Sequence, residues 1–313
     1  MAPEYLSGAM SLRRLAALTT GVNLLVILWG AYVRASGSGA GCGRHWPLCD
    51  GSIRPDTTQA ATLIEFTHRA TSGLALLMVV GLVYQIVRRT PVGHRLRSAG
   101  YWTLGLIVVE ALIGAGLVKL GLVGTNSSML RAGYLALHLA NTFALLAALT
   151  TTLLWADHPD PGPIRAEGGA TGPVKWLLGL LLFVGATGAI TALGDTLFPA
   201  GSLTEGFAQD RSPTAHLLLR LRIVHPALAV VTAVVAALIA VRLLTRHRSA
   251  TVVYWARAVL VLVFLQLVVG VVNLVLLVPI GTQLLHLLVA DLLWMAAVAL
   301  LVRLREHPDS VTA

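Results

Sequence analysis

Residues 255–277 read WARAVLVLVFLQLVVGVVNLVLL, and residues 283–303 read QLLHLLVADLLWMAAVALLVR. Each stretch is as long as a helix must be to cross the hydrocarbon core of a bilayer, about 20 predominantly apolar residues. Six further runs of this kind lie at residues 15–34, 62–87, 99–118, 132–155, 174–194 and 218–243. The sequence therefore predicts an all-α, polytopic membrane protein with eight transmembrane helices.

The composition excludes most other classes of protein. Of the 313 residues, 56% are hydrophobic and only 12% are charged, and the mean hydropathy is +0.79. Ordinary soluble domains carry about 25% charged residues, and a soluble globule of this size could not hide so much apolar surface. Apolar blocks along the whole chain also exclude intrinsic disorder, collagen and coiled coil, and two cysteines are too few for a disulfide-stapled miniprotein.

The positive charge follows the ends of the spans. The net charge is +9, but the basic residues do not line one face with interleaved aromatics, so no nucleic-acid partner is predicted. With the N-terminus inside, fourteen Lys and Arg fall on the cytoplasmic side and nine on the outer side, which predicts that both termini are cytoplasmic. The excess of Arg over Lys, 21 against 2, suits a GC-rich bacterial genome and so a bacterial cell membrane.

A segment rich in proline and glycine, beginning at Asp157, separates the first four spans from the last four and is typical of a linker. We expect an N-terminal four-helix bundle at 1–156, a cytoplasmic linker at 157–173 and a C-terminal four-helix bundle at 174–313. The halves echo each other in three places: Tyr101-Trp102 and Tyr254-Trp255, Glu110-x3-Gly114 and Gln266-x3-Gly270, His138-Leu139 and His286-Leu287. These echoes predict an internal duplication, with a pseudo-two-fold axis relating the two bundles.

Four of the ten histidines lie inside predicted spans, one in each even-numbered helix: His68, His138, His225 and His286. Each is one or two turns from the outer end of its helix, so the four share one depth, with one pair in each half. A lone intramembrane histidine is commonly a hydrogen-bonding group between helices, and a series of them can form a proton relay. A relay is normally staggered in depth, whereas these residues are level. We therefore favour two haem sites with bis-histidine ligation of the iron.

Acidic residues are the candidates for proton chemistry. Glu65 precedes His68 by three residues and shares its helix face. It is either a first-turn acid that the helix dipole favours or a proton acceptor beside bound substrate. Glu110 and Asp291 rank below it, as packing or proton-path residues, because neither stands at helical spacing from one of the four histidines.

Arginines at the outer ends of the spans are candidates for binding the haem propionates. They are Arg34, Arg69, Arg220 and Arg222. The positive-inside rule gives no reason for their position, whereas a guanidinium donates charge-assisted, often bidentate hydrogen bonds to a carboxylate. Arg222 stands three residues before His225, which favours this role. Snorkelling to lipid phosphate is the alternative, and it applies more to Arg34 than to Arg222.

The first outer loop contains both cysteines, Cys42 and Cys49, separated by six residues. In an oxidising compartment they can form a disulfide. A staple over so short a loop would contribute only ~2.5 kcal/mol in the chain-entropy model. A redox-active pair that exchanges electrons with a thiol partner or with the site below is the other interpretation, and the sequence leaves both open.

Taken together, these motifs resemble the heme A synthase family. The resemblance rests on Val33-Arg34-x-Ser36-Gly37-Ser38-Gly39-x2-Cys42-x3-Trp46-Pro47-Leu48-Cys49-x-Gly51, Glu65-x2-His68-Arg69, His138, Arg222-x2-His225-Pro226 and Gln283-x2-His286. It covers nearly the whole chain, and the loop motif is its most specific part. Some members have a second cysteine pair in the third outer loop, but Leu193 to Leu217 contains no cysteine here.

The resemblance implies an enzyme that oxidises the C8 methyl of heme O to the formyl group of heme A for cytochrome oxidase assembly. It implies that His68 and His138 bracket the substrate heme O, that His225 and His286 ligate a cofactor heme b, and that Glu65 serves the chemistry. We favour water as the source of the formyl oxygen, because two axial histidines leave no open iron site for dioxygen, with Glu65 as general base.

Two other functions fit the histidines. The first is a diheme membrane cytochrome that carries electrons without modifying haem, and the second is a haem carrier. The presence of Glu65 argues against a pure electron carrier, because electron transfer does not require a carboxylate beside one of the two haems only. The expected partners are heme O, membrane lipids and, by resemblance, a heme O synthase. Homo-oligomerisation and the electron acceptor are left open.

Overall fold

The computed structural model describes residues 10–156 and 170–306, and its helices confirm the all-α class. A short 3-10 helix at Ser38–Ala40 follows the first helix. In chain order the α-helices are α1 (Leu12–Ala35), α2 (Ala60–Arg89), α3 (Arg95–Lys119), α4 (Met129–Trp155), α5 (Thr171–Leu197), α6 (Leu203–Arg211), α7 (Leu217–Arg222), α8 (Val224–Arg246), α9 (Ala250–Val275) and α10 (Ile280–Glu306).

The eight predicted spans are confirmed. Within the described ranges, eight helical segments are long and apolar enough to cross a membrane, with α7 and α8 counted together as Leu217–Arg246. Every segment begins one to five residues before its apolar run. Polar caps explain the difference at two of them, because the hydroxyls of Ser11 and Ser128 accept the backbone N–H groups of Arg14 and Arg131.

Span six is not the continuous helix expected at 218–243. Helix α7 ends at Arg222 and α8 begins at Val224, with Ile223 between them. Pro226 has no N–H and so cannot donate to the carbonyl of Arg222 four residues earlier. His225 consequently lies at a break in the helix.

Each set of four spans closes into its own ring of contacts. Helices α1 and α3 both pack against α2 and α4, while α5 and α9 both pack against α8 and α10. The rings join where α4 contacts α5 and α10, and where α1 contacts α10. Residues 157–169 of the predicted linker lie outside the described residues, and α5 begins at Thr171. The division into two domains and the pseudo-two-fold axis stay predictions.

The joint between the rings contains a buried aromatic pair. Trp294 on α10 is 7% exposed and stacks on Phe143 of α4, with ring centroids 4.7 Å apart. Its indole N–H donates to the carbonyl of Phe143 at 2.6 Å. The indole therefore supplies both apolar contact and a satisfied hydrogen bond inside the bundle.

Replacing Trp294 with Ala should destabilise the joint between the rings by about 3–5 kcal/mol, because it leaves a cavity and removes the stacked ring. Trp176→Ala on α5 is the matched control, since that indole is 77% exposed. Thermal unfolding in detergent, followed by size-exclusion chromatography, should show an early loss of monodisperse protein for Trp294→Ala only. An equal loss in both variants would show that the joint does not depend on this contact.

Candidate functional site

The four intramembrane histidines lie near one end of the bundle. Each is six to nine residues after the first residue of its helical segment. At 1.5 Å per residue this places them about 9–14 Å along the helix axes. All four segments are even-numbered spans and so begin at the same side of the membrane. The predicted common depth therefore agrees with the helix boundaries.

In the second ring, His225 and His286 face each other. Their ring centroids are 6.4 Å apart and their planes are inclined by 83°. Two imidazoles that ligate one metal at the usual metal–nitrogen distance of ~2.0–2.1 Å have centroids about 6 Å apart. The separation therefore fits the ligation of one iron once both imidazoles turn a nitrogen toward it.

Neighbouring groups orient these two rings. Nδ1 of His225 lies 3.1 Å from the carbonyl oxygen of Val184, so an Nδ1–H donates there and leaves the Nε2 lone pair available. Nε2 of His286 lies 3.1 Å from the amide nitrogen of Gln266 on α9. An amide N–H donates, so the lone pair of Nε2 of His286 is taken up by Gln266, and Nδ1 of His286 has no hydrogen-bond partner among the described residues. His225 thus presents its Nε2 lone pair, whereas ligation through Nε2 of His286 requires Gln266 to release it.

The first ring holds His68 on α2 and His138 on α4. Nδ1 of His138 lies 3.2 Å from Oε1 of Glu110 on α3, although the contact lacks the alignment of a hydrogen bond. Among the described residues, Nδ1 of His68 has no hydrogen-bond partner. Buried polar atoms without a partner are rare, and two imidazoles in this state fit a site that binds a further group.

Glycines lie against three of the four imidazoles. A Cβ on Gly30 or Gly188 would come within 2.9 Å of Cε1 of His68 or His225, respectively. A Cβ on Gly270 would lie 3.1 Å from Cε1 of His286. Each of these three imidazoles therefore lies against the backbone of the neighbouring helix, where a side chain would displace it. Gly30 and Gly188 were not predicted from the sequence, whereas Gly270 belongs to the repeated pattern Glu110-x3-Gly114 and Gln266-x3-Gly270.

Glu65 lies at the beginning of α2 and is 3% exposed. Its Oε2 accepts the backbone N–H of Cys42 at 2.8 Å, and its Oε1 pairs with Arg69 at 2.5 Å. The guanidinium of Arg69 also donates to the carbonyls of His45 and Leu48, both at 2.6 Å. The carboxylate thus links the helix that carries His68 to the loop that precedes it.

Cys42 and Cys49 form a disulfide with a Cα–Cα distance of 4.4 Å, and both are buried. The loop is held against α2 a second time, because the hydroxyl of Thr62 donates to the carbonyl of Gly41 at 2.7 Å. A Cβ on Gly41 would approach the backbone of Ala61 to 2.4 Å, so glycine is required there. The bond itself agrees with the expectation, and the choice between staple and redox pair stays a prediction.

The four candidate arginines have different partners. Arg34 donates to the carbonyl of Ala192, to Thr196 and to Gln283, and so links α1 to α5 and α10 of the other ring. Arg222 pairs with Asp195 at 3.1 Å and with Asp210 at 2.6 Å.

The remaining donors of Arg222 contact Gln209 and the carbonyl of Phe198, so all five of its guanidinium N–H groups have partners. Arg220 is exposed and donates to the carbonyl of Pro213 at 2.5 Å. Arg222 is therefore enclosed by protein acceptors, whereas Arg220 faces outward.

Several residues of this region were not identified from the sequence. Glu110 was ranked low because it has no histidine at helical spacing on its own helix, yet it reaches His138 from α3. Gln266 reaches His286 from α9 in the same way. The parallel between Glu110-x3-Gly114 and Gln266-x3-Gly270 was the available signal. No sequence signal pointed to Asp195 and Asp210, because their contact with Arg222 depends on how the loop folds.

Comparisons with known proteins agree with these observations. The family model described as cytochrome oxidase assembly protein, COX15-CtaA, matches residues 13–298. The heme A synthase of Staphylococcus carnosus is 29% identical over 290 residues, which cover 89% of each chain. The heme A synthase of Staphylococcus saprophyticus is 27% identical over 298 residues, with 91% and 92% of the two chains covered.

A longer relative comes from Thermus thermophilus. It is named protoheme IX farnesyltransferase and is 45% identical over 299 residues, which cover 92% of this chain and 48% of the relative. The chain therefore spans about half the length of that protein. The match of the family model along almost the whole chain shows that it belongs to the COX15-CtaA family of cytochrome oxidase assembly proteins, the heme A synthase family.

Proposed function

We propose that this chain is a heme A synthase, a membrane oxidoreductase that converts the C8 methyl group of heme O to the formyl group of heme A. The observation that carries the proposal is the pairing of histidines, one pair in each ring of helices. In the second ring the imidazoles stand 6.4 Å apart, the separation that a single iron needs. Membership of a family that includes heme A synthases supplies the chemistry to which such sites belong.

The two rings have different roles in this proposal. His225 and His286 hold a resident heme b, which supplies one-electron redox chemistry when bound. Nδ1 of His225 already has the orienting partner typical of a metal-ligating histidine. His68 and His138 bracket the substrate, because Glu65, the acidic residue that accepts protons in this proposal, lies in that ring.

Glu65 accepts protons released from the substrate methyl group and from water. Converting a methyl group and one water molecule to a formyl group releases four protons and four electrons. The carboxylate accepts hydrogen bonds from Cys42 N–H and from the Arg69 guanidinium, which fix it in position. It shares the helix face of His68, so it lies beside the substrate in this proposal.

Arg34 is the best placed of the arginines to bind a haem propionate. Three donor contacts are seen for its guanidinium within the described residues, which leaves N–H groups for a ligand. Gln283, which it contacts, stands three residues before His286. Arg220 makes one donor contact and Arg69 makes four, whereas all donors of Arg222 are used. We therefore assign Arg222 to orienting the loop, and propionate binding first to Arg34, because of its contact with Gln283, then to Arg220 and last to Arg69.

The substrate comes from an enzyme that attaches a farnesyl group to haem. The Thermus relative has about twice the length and is named for transfer of a farnesyl group to protoheme IX. We propose that a heme O synthase of that class hands its product to this chain. In a bacterial cell membrane with both termini cytoplasmic, the haem sites face the outer side, as the charge distribution predicts.

A diheme cytochrome that only carries electrons is the second candidate. The observation in its favour is that Glu65 already anchors the disulfide loop through Cys42 and Arg69, a role that needs no reaction. The two functions differ in product, because only the synthase changes the haem.

When the chain is expressed in a bacterium that makes heme O but not heme A, it should convert heme O to heme A. The product is identified by extracting the haems and determining their chromatographic retention and mass. His138→Ala should abolish the conversion, since one side of the substrate site is lost. His45→Ala should retain it, because this imidazole is exposed and its backbone carbonyl is kept. Inserted, haem-containing wild-type protein that leaves heme O unchanged would instead favour the diheme cytochrome.

Replacing Glu65 with Gln should lower turnover by about 10²–10⁴, the usual loss for an acid–base group. The amide oxygen can still accept Cys42 N–H, so the loop and haem binding should persist. Thr62→Val is the matched control, because it loosens the same loop without touching the carboxylate. Equal losses in both variants would reduce Glu65 to a loop anchor, and near-normal heme A from Glu65→Gln would refute the base assignment.

A further inference from the structure

Glu110 occupies a position that the proposed chemistry does not use. It lies on α3, facing α4, and its side chain is 18% exposed. Oε1 is 3.2 Å from Nδ1 of His138, the nitrogen next to Cβ rather than the outer Nε2. The carboxylate therefore stands behind the imidazole and leaves Nε2 for the site.

Two side chains of α4 hold the carboxylate in this place. The Asn141 amide donates to Oε2 at 2.5 Å and to the carbonyl of Leu106 at 3.0 Å, which fixes the amide between the helices. The hydroxyl of Thr142 contacts Oε1. Oε2 therefore accepts from Asn141, whereas the one proton of the Thr142 hydroxyl is shared between Oε1 and the carbonyl of His138.

The second ring has an amide at the equivalent position in the sequence pattern. Gln266 on α9 contacts Nε2 of His286 on α10, whereas Glu110 on α3 contacts Nδ1 of His138 on α4. The amide is neutral, and its oxygen has no hydrogen-bond partner among the described residues. Each ring thus has one histidine contacted from the preceding span, by a carboxyl group at Nδ1 in the first ring and by an amide at Nε2 in the second.

We infer that Glu110 is a positioning residue for His138, one that orients the imidazole and lowers the reduction potential of a haem in the first ring relative to one in the second. The inference rests on the proposed assignment of His138 as an axial ligand. A carboxylate behind a ligating imidazole makes the ligand more basic and favours ferric over ferrous iron. Gln266, being neutral, does not have this effect on His286.

The test uses the full chain loaded with iron protoporphyrin IX. The double replacement His225→Ala, His286→Ala removes the proposed ligands of the second ring, so that haem is bound only at the first site. In this background, Glu110→Gln should weaken ferric relative to ferrous binding by about ten- to hundredfold, as changes to the partner of a ligating histidine do. In a redox titration this appears as an upward shift of the midpoint potential, ~59 mV for each tenfold change.

A variant that keeps the charge provides the matched control. That variant is Glu110→Asp, which keeps the carboxyl group and, in the same His225→Ala, His286→Ala background, should shift the midpoint potential by less than Glu110→Gln does. Asn141→Leu, which releases Oε2 of Glu110, decides the matter by an upward shift if Glu110→Gln fails to insert in the membrane. A change in packing alone would act at least as strongly in Glu110→Asp, which shortens the side chain, as in Glu110→Gln, which keeps its length.

The outcomes separate this inference from the proposed function. An unchanged midpoint potential for Glu110→Gln, with haem bound and wild-type heme A synthesis intact, would overturn the role of Glu110 alone. An equal or larger shift for Glu110→Asp would also overturn it. If the His225→Ala, His286→Ala protein, with Glu110 present, binds no haem at the first site, the ligand assignment of His138 is overturned and the inference with it.

Discussion

The structure depends on holding four imidazoles at one level inside an apolar helix bundle. Polar groups in a membrane are costly unless they have partners or a ligand. The bundle meets this constraint with a carbonyl and an amide at His225 and His286, and with a carboxylate at His138. Glycines let three of the imidazoles lie directly against neighbouring helices, so that the imidazoles fit between the spans. These requirements explain why polar and glycine residues interrupt otherwise apolar sequences.

The first ring carries a second set of constraints around Glu65. One carboxylate joins the disulfide loop, through Cys42, to Arg69 and to the helix of His68. Loop and histidine are therefore fixed relative to each other by the residue that we propose as the base. A group with both roles is held in one place, which favours proton acceptance at a defined position. It also means that disturbance of the loop reaches the site through this carboxylate.

Much of the fold could be predicted from the sequence, because membrane spans are set by length and apolarity alone. The break at Ile223 could have been read from Pro226, whereas α6 is too short and polar for such a search to find. The level of the histidines was predictable because it depends on helix ends. The contact between Glu110 and His138 was not, because it joins two helices whose rotation only the folded bundle fixes.

The central claim is that the two histidine pairs form two separate haem sites, and haem stoichiometry tests it most directly. Purified full-length protein saturated with iron protoporphyrin IX should contain two haems per chain. Replacing both His68 and His138 with Ala should leave one, and replacing both His225 and His286 with Ala should also leave one, with a low-spin six-coordinate spectrum in each case. Two haems in either double variant, or none in both while the protein remains inserted, would contradict the account.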